Sequence, residues 1–301
     1  EKLKNTPLDG QIANLFRGKF RSFIRAVNVD FESSKEEYFY DLSMVVKDTP
    51  DLASSFRKYI ETELLDGDNQ YSTEQYGKQD VRMGTEFVQF PKVLHLHLRR
   101  FEYDFSYDRM EKINSRFEFP ATFDLSEFLA QNADRSKSYV YDLYGVLVHS
   151  GSTAGGHYYA FLRTSTDPQW YKFDDSRVTR ATEQEAIDEN FGGSSTQNAT
   201  YGYQTGYYHN SYYNYDRCYS AYMLVYVRRD SAEEIFTPIQ ENTIPDHLRQ
   251  YFHAHQDEIE SSTTYSSTKL NAKVISEDAL IANAIRGKSE FECPELQKKF
   301  T

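Results

Sequence analysis

Residues 155–175 read GGHYYAFLRTSTDPQWYKFDD, and the reading of this stretch decides the fold. Two glycines lead into a histidine and an aromatic-rich run, 157–163, with the β-propensity of a strand. A turn-forming segment separates it from WYKFDD (170–175), a second strand that closes on two aspartates. A tight hairpin between the runs brings His157 beside Asp174 or Asp175, the arrangement that a general base and its orienting carboxylate require. On a continuous strand the two aspartates point to opposite faces, so one of them is expected to meet His157. That carboxylate is expected to accept from the imidazole Nδ1–H and fix the tautomer. Gly155 and Gly156 leave bare backbone against which an extended peptide can lie.

Outward from this hairpin, strands are predicted at 139–149 and 219–229, which with 157–163 and 170–174 imply a mostly antiparallel sheet in an α+β fold. Residues 38–46 place Tyr38, Tyr40, Leu42, Met44 and Val46 on one face at period two, a further strand. Thr49-Pro50 then reads as a cap and first turn, with Leu52, Phe56, Tyr59, Ile60 and Leu64 at helical spacing until 66–69 turns the chain. In 92–101, Leu94, Leu96 and Leu98 face one way and His95 and His97 the other. Two histidines at this spacing suit a metal, but no third ligand of the right type follows, so no metal is expected. A short helix is predicted at 125–129, and a Thr182/Glu185 capping box opens another over 182–191. Residues 192–216 are Tyr, Asn, Gly and Ser with almost no aliphatic side chain, a surface insertion. A helical stripe, Ile244, Leu248, Tyr251, Phe252, His255 and Ile259, precedes a polar break at 261–268.

The 301 residues carry 25 Tyr and 21 Phe, a surplus that favours strands and recognition surfaces. A net charge of −12 argues against nucleic acid as partner; it suits a basic partner, or solubility alone. Two cysteines, Cys218 and Cys293, make neither a disulfide framework nor a zinc site, which points to a reducing compartment, cytoplasmic or nuclear. No apolar run is long enough for a bilayer, so no membrane is expected. Neither cysteine has the helix-N-terminal setting that activates a thiol, and no GxSxG elbow exists. The base therefore lacks an evident nucleophile. The start at Glu1 rather than Met suggests a piece of a longer protein.

Five segments, VLHLHLRRF (93–101), KINSRFEFP (112–120), YGVLVHSGSTAGGHYYAF (144–161), WYKFDD (170–175) and AYMLVYVRR (221–229), together resemble the ubiquitin-specific proteases. LFRGK (15–19) and ELLDGDNQY (63–71) add a likeness to the branch that holds the herpesvirus-associated enzyme and its fungal counterparts. The resemblance covers roughly 8–260. It implies a papain-like cysteine peptidase fold whose fingers and palm span 1–229, with the thumb and its catalytic Cys missing from this chain. A helical linker at 230–268 and the start of a ubiquitin-like domain at 269–301 would follow. It makes His157 the general base and Asp174 its orienter, with Asp175 beside it. Phe101, Tyr103, Lys112, His149, Tyr158 and Tyr222 become contacts of the ubiquitin tail, and Gly155 and Gly156 the channel for its diglycine. For Phe101 and Tyr222 a place in an aromatic core is the competing reading. Glu63, Asp66, Asp68 and Glu74 would meet ubiquitin's basic face, or are solvated loop residues. With no cysteine before 218, zinc is not implied, and no cofactor is. The expected function is hydrolysis after the C-terminal glycine of ubiquitin, with this chain inactive by itself; its partners would be ubiquitin, ubiquitinated proteins and the missing N-terminal half carrying the Cys. The alternative is a ubiquitin-binding module without catalysis.

Overall fold

A computed structural model describes residues 4–6, 9–196, 214–216, 218–238 and 244–255. The middle of the Tyr-rich stretch, Cys293 and the expected ubiquitin-like segment at 269–301 lie outside these residues. The chain divides into two compact units, Glu1–Phe236 and Thr237–Thr301.

The first unit is built on one large sheet. Its main strands are β1 (Leu42–Val45), β2 (Val93–Arg99), β3 (Val140–Ser152), β4 (Gly155–Arg163), β5 (Trp170–Asp174), β6 (Arg177–Ala181) and β7 (Tyr219–Arg228). They lie in the order β6-β5-β4-β3-β7-β2-β1, and the short strand Thr122–Asp124 pairs with the start of β3. Neighbours are antiparallel except β1 and β2, which run parallel. Leu94, Leu96 and Leu98 of β2 are fully buried while His95 and His97 are half-buried, the alternation expected of a sheet with one core face. A second, four-stranded antiparallel sheet joins Glu32–Phe39, Gly18–Ala26, Val81–Gln89 and Glu63–Leu65.

The expected strand at 38–46 is divided between these two sheets. Glu32–Phe39 ends in the smaller one with Phe39 buried and Tyr38 exposed; a bend at Tyr40-Asp41 follows, and β1 then buries Leu42 and Met44. The bend shifts the phase, so Tyr38 and Tyr40 do not share the buried face of Leu42, Met44 and Val46. The helix after it, α1 (Leu52–Tyr59), is capped by Asp51, whose carboxylate accepts from the Ser54 amide at 2.7 Å. Thr49, expected as the cap, instead donates its hydroxyl to the Val45 carbonyl. Leu64 lies beyond the helix, in the strand Glu63–Leu65. Phe56 of α1 sits among Phe87, Phe90, Phe123 and Phe128, ring centroids 5.0–6.2 Å away.

The Thr182/Glu185 capping box forms, but its helix is only Glu183–Ala186. Asn190 explains the stop: its side-chain amide donates to the Glu185 and Ala186 carbonyls, so a 3-10 turn, Asp188–Asn190, replaces further α-helix. At 125–129 the backbone makes a single 3-10 turn, Ser126–Phe128. The two ends of the Tyr-rich stretch, Ser194–Thr196 and Asn214–Asp216, pair antiparallel. The helix Ala232–Ile235, which the sequence places in the linker, packs with Phe236 against Val93, Tyr144 and Val227 as part of the first unit. In the second unit, Asp246–Ala254 is helical. No described helix is long and apolar enough to cross a membrane.

Arg100 locks the sheet to the segments around it. It is 1% exposed and donates to the carbonyls of Ala221, Ile113, Ser115 and Phe191. Burial pushes its guanidinium down to about 10, so it stays charged at neutral pH.

Candidate active site

His157 and Asp174 come together as the hairpin reading expects. β4 and β5 pair from Ala160↔Phe173 to Arg163↔Trp170, and beyond that register the imidazole Nε2 lies 2.5 Å from Asp174 Oδ1. The ring nitrogen differs from the expectation: Nε2, not Nδ1, meets the carboxylate, which leaves Nδ1 out of the pair. The other oxygen of Asp174 accepts from Lys172 at 2.8 Å. Lys172 also sits over the Tyr159 ring, 4.1 Å from its centroid. First Lys172 and then His157 hold the Asp174 carboxyl below its ordinary value. Asp174 in turn raises the His157 imidazole above its own, and Asp175 adds to the effect.

Asp175 is not on the strand. β5 ends at Asp174, and Asp175 has φ 50° in the two-residue turn before Arg177. That left-handed turn cancels the opposite-face argument: a carboxylate oxygen of Asp175 and one of Asp174 both lie within 4.8 Å of a His157 nitrogen. Among the described residues this is the one grouping of three His, Cys, Asp or Glu with such proximity.

The two glycines before His157 have different neighbourhoods. β3 and β4 register Gly151↔Gly156, Ser152↔Gly155 and Ser150↔His157. A Cβ on Gly156 would lie 2.3 Å from His149 Nε2 and 2.4 Å from the Ser150 carbonyl oxygen, whereas none of the described residues comes within 4 Å of one on Gly155. His149 is buried, and among the described residues its Nδ1 has no hydrogen-bond partner. Burial, and then the nearby Lys112 charge, lower its pKa and favour the neutral ring. Lys112 is itself buried, with its ammonium on the carbonyls of His149, Gly151 and Cys218.

Four of the six residues that the resemblance assigns to a ubiquitin tail form one aromatic cluster. Phe101 meets His149 edge-on at 5.3 Å and Tyr222 at 6.1 Å; Tyr158 lies 4.7 Å from His149 and 5.6 Å from Tyr222. A cavity of about 440 Å³, lined by Ser43, His97, Arg99, Phe101 and Tyr222, opens beside them. Tyr103 stands apart, half-exposed on the hairpin of Phe101–Asp104 and Arg109–Lys112, with its hydroxyl on Asp108. Glu63, Asp66, Asp68 and Glu74 are all exposed. His95 stacks on Phe16 and His97 packs against Tyr222. Cys218 is exposed where the chain enters β7, its sulfur 4.0 Å from the Ser150 hydroxyl.

Sequence reasoning missed Lys172, although period-two alternation places it on the face of Asp174. Arg100 and the inward turn of Lys112 had no sequence signal, because their carbonyl partners come from segments far apart in the chain.

The family profile described as ubiquitin carboxyl-terminal hydrolase matches residues 1–226. Ubiquitin carboxyl-terminal hydrolase 5 of Schizosaccharomyces pombe is 46% identical over 248 residues, which cover 82% of this chain and 22% of that protein. Ubiquitin carboxyl-terminal hydrolase 15 of Saccharomyces cerevisiae is 44% identical over 257 residues, covering 82% and 21%. Ubiquitin C-terminal hydrolase 12 of Arabidopsis thaliana is 43% identical over 271 residues, covering 89% and 24%. The chain thus spans less than a quarter of the length of these relatives. Among solved structures, the SAGA DUB module of Ubp8, Sgf11, Sus1 and Sgf73 bound to monoubiquitin shares the fold. Its TM-score is 0.56 at 24% identity, over 72% of this chain and 42% of that one.

Proposed function

The chain belongs to the ubiquitin carboxyl-terminal hydrolase family, and we propose on that premise that it supplies the base and the orienting carboxylate of a deubiquitinase. The observation that carries this reading is the 2.5 Å contact between His157 Nε2 and Asp174. Asp174 takes one ring nitrogen and is itself held by Lys172, so the ring presents Nδ1 to a thiol in a fixed orientation. A thiolate paired with the imidazolium attacks the carbonyl of ubiquitin's last glycine. The imidazolium then gives its proton to the leaving lysine amine, and a water deprotonated by the imidazole releases ubiquitin from the thioester.

The nucleophile is assigned to a cysteine outside these 301 residues. Cys218 enters a strand, without the helix-N-terminal setting that activates a thiol, and its sulfur neighbours the Ser150 hydroxyl. In the same reading the aromatics at 101, 158 and 222, with His149, flank a slot that admits glycine and excludes larger side chains. The open side of Gly155 gives the diglycine backbone room. Residues 1–229 correspond to fingers and palm of the herpesvirus-associated branch, acting in an intracellular reducing compartment.

Hydrolysis of a ubiquitin–fluorophore conjugate by the longer protein that carries this chain tests the reading. His157→Ala is expected to lower kcat at least about a thousandfold, Cys218→Ser to leave turnover in place, and the 301 residues alone to give none. Full activity of the His157→Ala protein sinks the assignment of the base. Loss of activity in Cys218→Ser would put the nucleophile inside this chain.

A further inference from the structure

Lys112 closes the hairpin at 101–112, where it pairs with Phe101. Its side chain turns into the protein and is 8% exposed. Nζ donates to the carbonyls of His149 at 3.1 Å, Gly151 at 3.0 Å and Cys218 at 2.7 Å. An ammonium has three N–H bonds, and these three acceptors use them all. Among the described residues no carboxylate shares the cation; the titratable groups that act on it are Cys218 and Arg100. Burial pushes it down to about 8, while three converging carbonyl dipoles favour the charged form.

The position of the acceptors gives this cation its consequence. His149 and Gly151 flank Ser150, which lies opposite His157 in β4 and opposite Tyr219 in β7. The Gly151 amide also donates to the Cys218 carbonyl, at 2.9 Å. Gly151 has φ 126°, where β3 parts from β7 and turns through 151–155 toward His157. The ammonium therefore pins the root of the turn that presents the imidazole. Its other end is the root of a hairpin whose tip carries Phe105 and Tyr107, both strongly exposed.

We propose that Lys112 is a positioning residue for His157: by binding three backbone carbonyls it holds the turn at 151–155, and with it the alignment of the imidazole on Asp174. This differs from a contact with substrate, since the ammonium faces the protein's own backbone. Only the catalytic meaning of that alignment rests on the deubiquitinase reading; the alignment itself belongs to this chain.

Removal of the Lys112 charge and loss of alignment move the His157 titration in opposite directions. A cation lost nearby makes the imidazole easier to protonate; a weakened contact with Asp174, Asp175 or Lys172, the groups that face it, makes protonation harder overall because the carboxylate dominates. The test is a histidine NMR titration of the whole chain, with His157 assigned through His157→Gln. Lys112→Met is expected to shift the His157 midpoint to lower pH. Lys112→Gln, which retains two donors, is expected to shift it less, and it carries the comparison should the Met variant not fold. A folded variant whose His157 midpoint is unchanged or higher overturns the proposal. In the longer enzyme, Lys112→Met is expected to lower kcat on the order of tenfold or more with KM unchanged. A raised KM with an unmoved midpoint would make Lys112 a substrate contact and also overturn it. If the unsubstituted enzyme hydrolyses no ubiquitin conjugate, the deubiquitinase reading falls while the titration still decides the role of Lys112.

Discussion

His157 shows what a single residue's environment does to its chemistry. Its imidazole is raised above the ordinary 6.5 chiefly by Asp174, so the charged ring stabilises the native state fully below the unfolded value and ceases to as pH rises through the native one. Asp174 works in the other direction. Lys172 and then His157 hold it below 3.8, so its contribution is present above the unfolded value and is lost as pH falls through the depressed native one. The ion pair is therefore complete between the two ordinary values, 3.8 and 6.5, and extends above 6.5 to the raised imidazole value. An NMR titration is expected to place the His157 midpoint above 6.5, and Asp174→Asn to bring it down. Lys172→Met is expected to push it up, because the Lys172 charge opposes the imidazolium. A drop in the Lys172→Met protein would show that Lys172 acts mainly by holding Asp174 in place. The partnership of His157 with Asp174 was legible in the sequence because a hairpin and period-two alternation dictate it. The choice of Nε2 was not, since it depends on side-chain torsions that no spacing encodes.

At the scale of elements, the sequence reading succeeds where one local rule governs and fails where two segments compete. Leu94, Leu96 and Leu98 alternate into the core as read, because β2 lies wholly inside one sheet. The run at 38–46 alternates just as well, yet it serves two sheets, and a two-residue bend between them shifts its phase. Asp51 outcompetes Thr49 as cap because Thr49 finds a carbonyl partner first, at Val45. The two glycines before His157 look equivalent in sequence and are not. Next to Gly156 stand the buried His149 ring and a backbone carbonyl of β3, neither of which can give way cheaply. Gly156→Ala is expected to cost about 1–3 kcal/mol of stability in denaturant unfolding, and Gly155→Ala to leave the midpoint in place. If Gly155→Ala then slows ubiquitin–fluorophore hydrolysis without unfolding the protein, the open side of Gly155 is used by substrate. Equal destabilisation by both substitutions would contradict the register Gly151↔Gly156 and Ser152↔Gly155.

For the whole molecule, the 25 Tyr and 21 Phe divide between two tasks that composition alone does not separate. The sequence reading gives this surplus to strands and recognition surfaces, and the structure spends much of it on packing. Phe39, Phe56, Phe87, Phe90 and Phe128 share one buried cluster beneath the two sheets, where they connect α1 to Val81–Gln89 and to the turn at 126–128. Tyr141 and Tyr226 are buried too, and each stays satisfied by donating its hydroxyl to a proline carbonyl, Pro91 and Pro120. Proline at those positions fits, since its carbonyl accepts while its nitrogen has nothing to donate. Tyr103, Phe105 and Tyr107 do the opposite and gather on one exposed hairpin. Burial, not residue type, decides which aromatics hold the molecule together. Phe56→Ala removes a ring packed on four others and is expected to cost about 3–5 kcal/mol, read as a lower midpoint in urea. Phe105→Ser, at a ring 89% exposed, is expected to change stability by less than about 0.5 kcal/mol. If the chain serves the proposed deubiquitinase, the same substitution is expected to raise KM for ubiquitin conjugates, because a solvent-exposed aromatic tip gains stabilisation only from a partner that covers it. A Phe105→Ser protein that loses stability like Phe56→Ala would place the hairpin tip in a packed environment, and would remove it from the recognition surface.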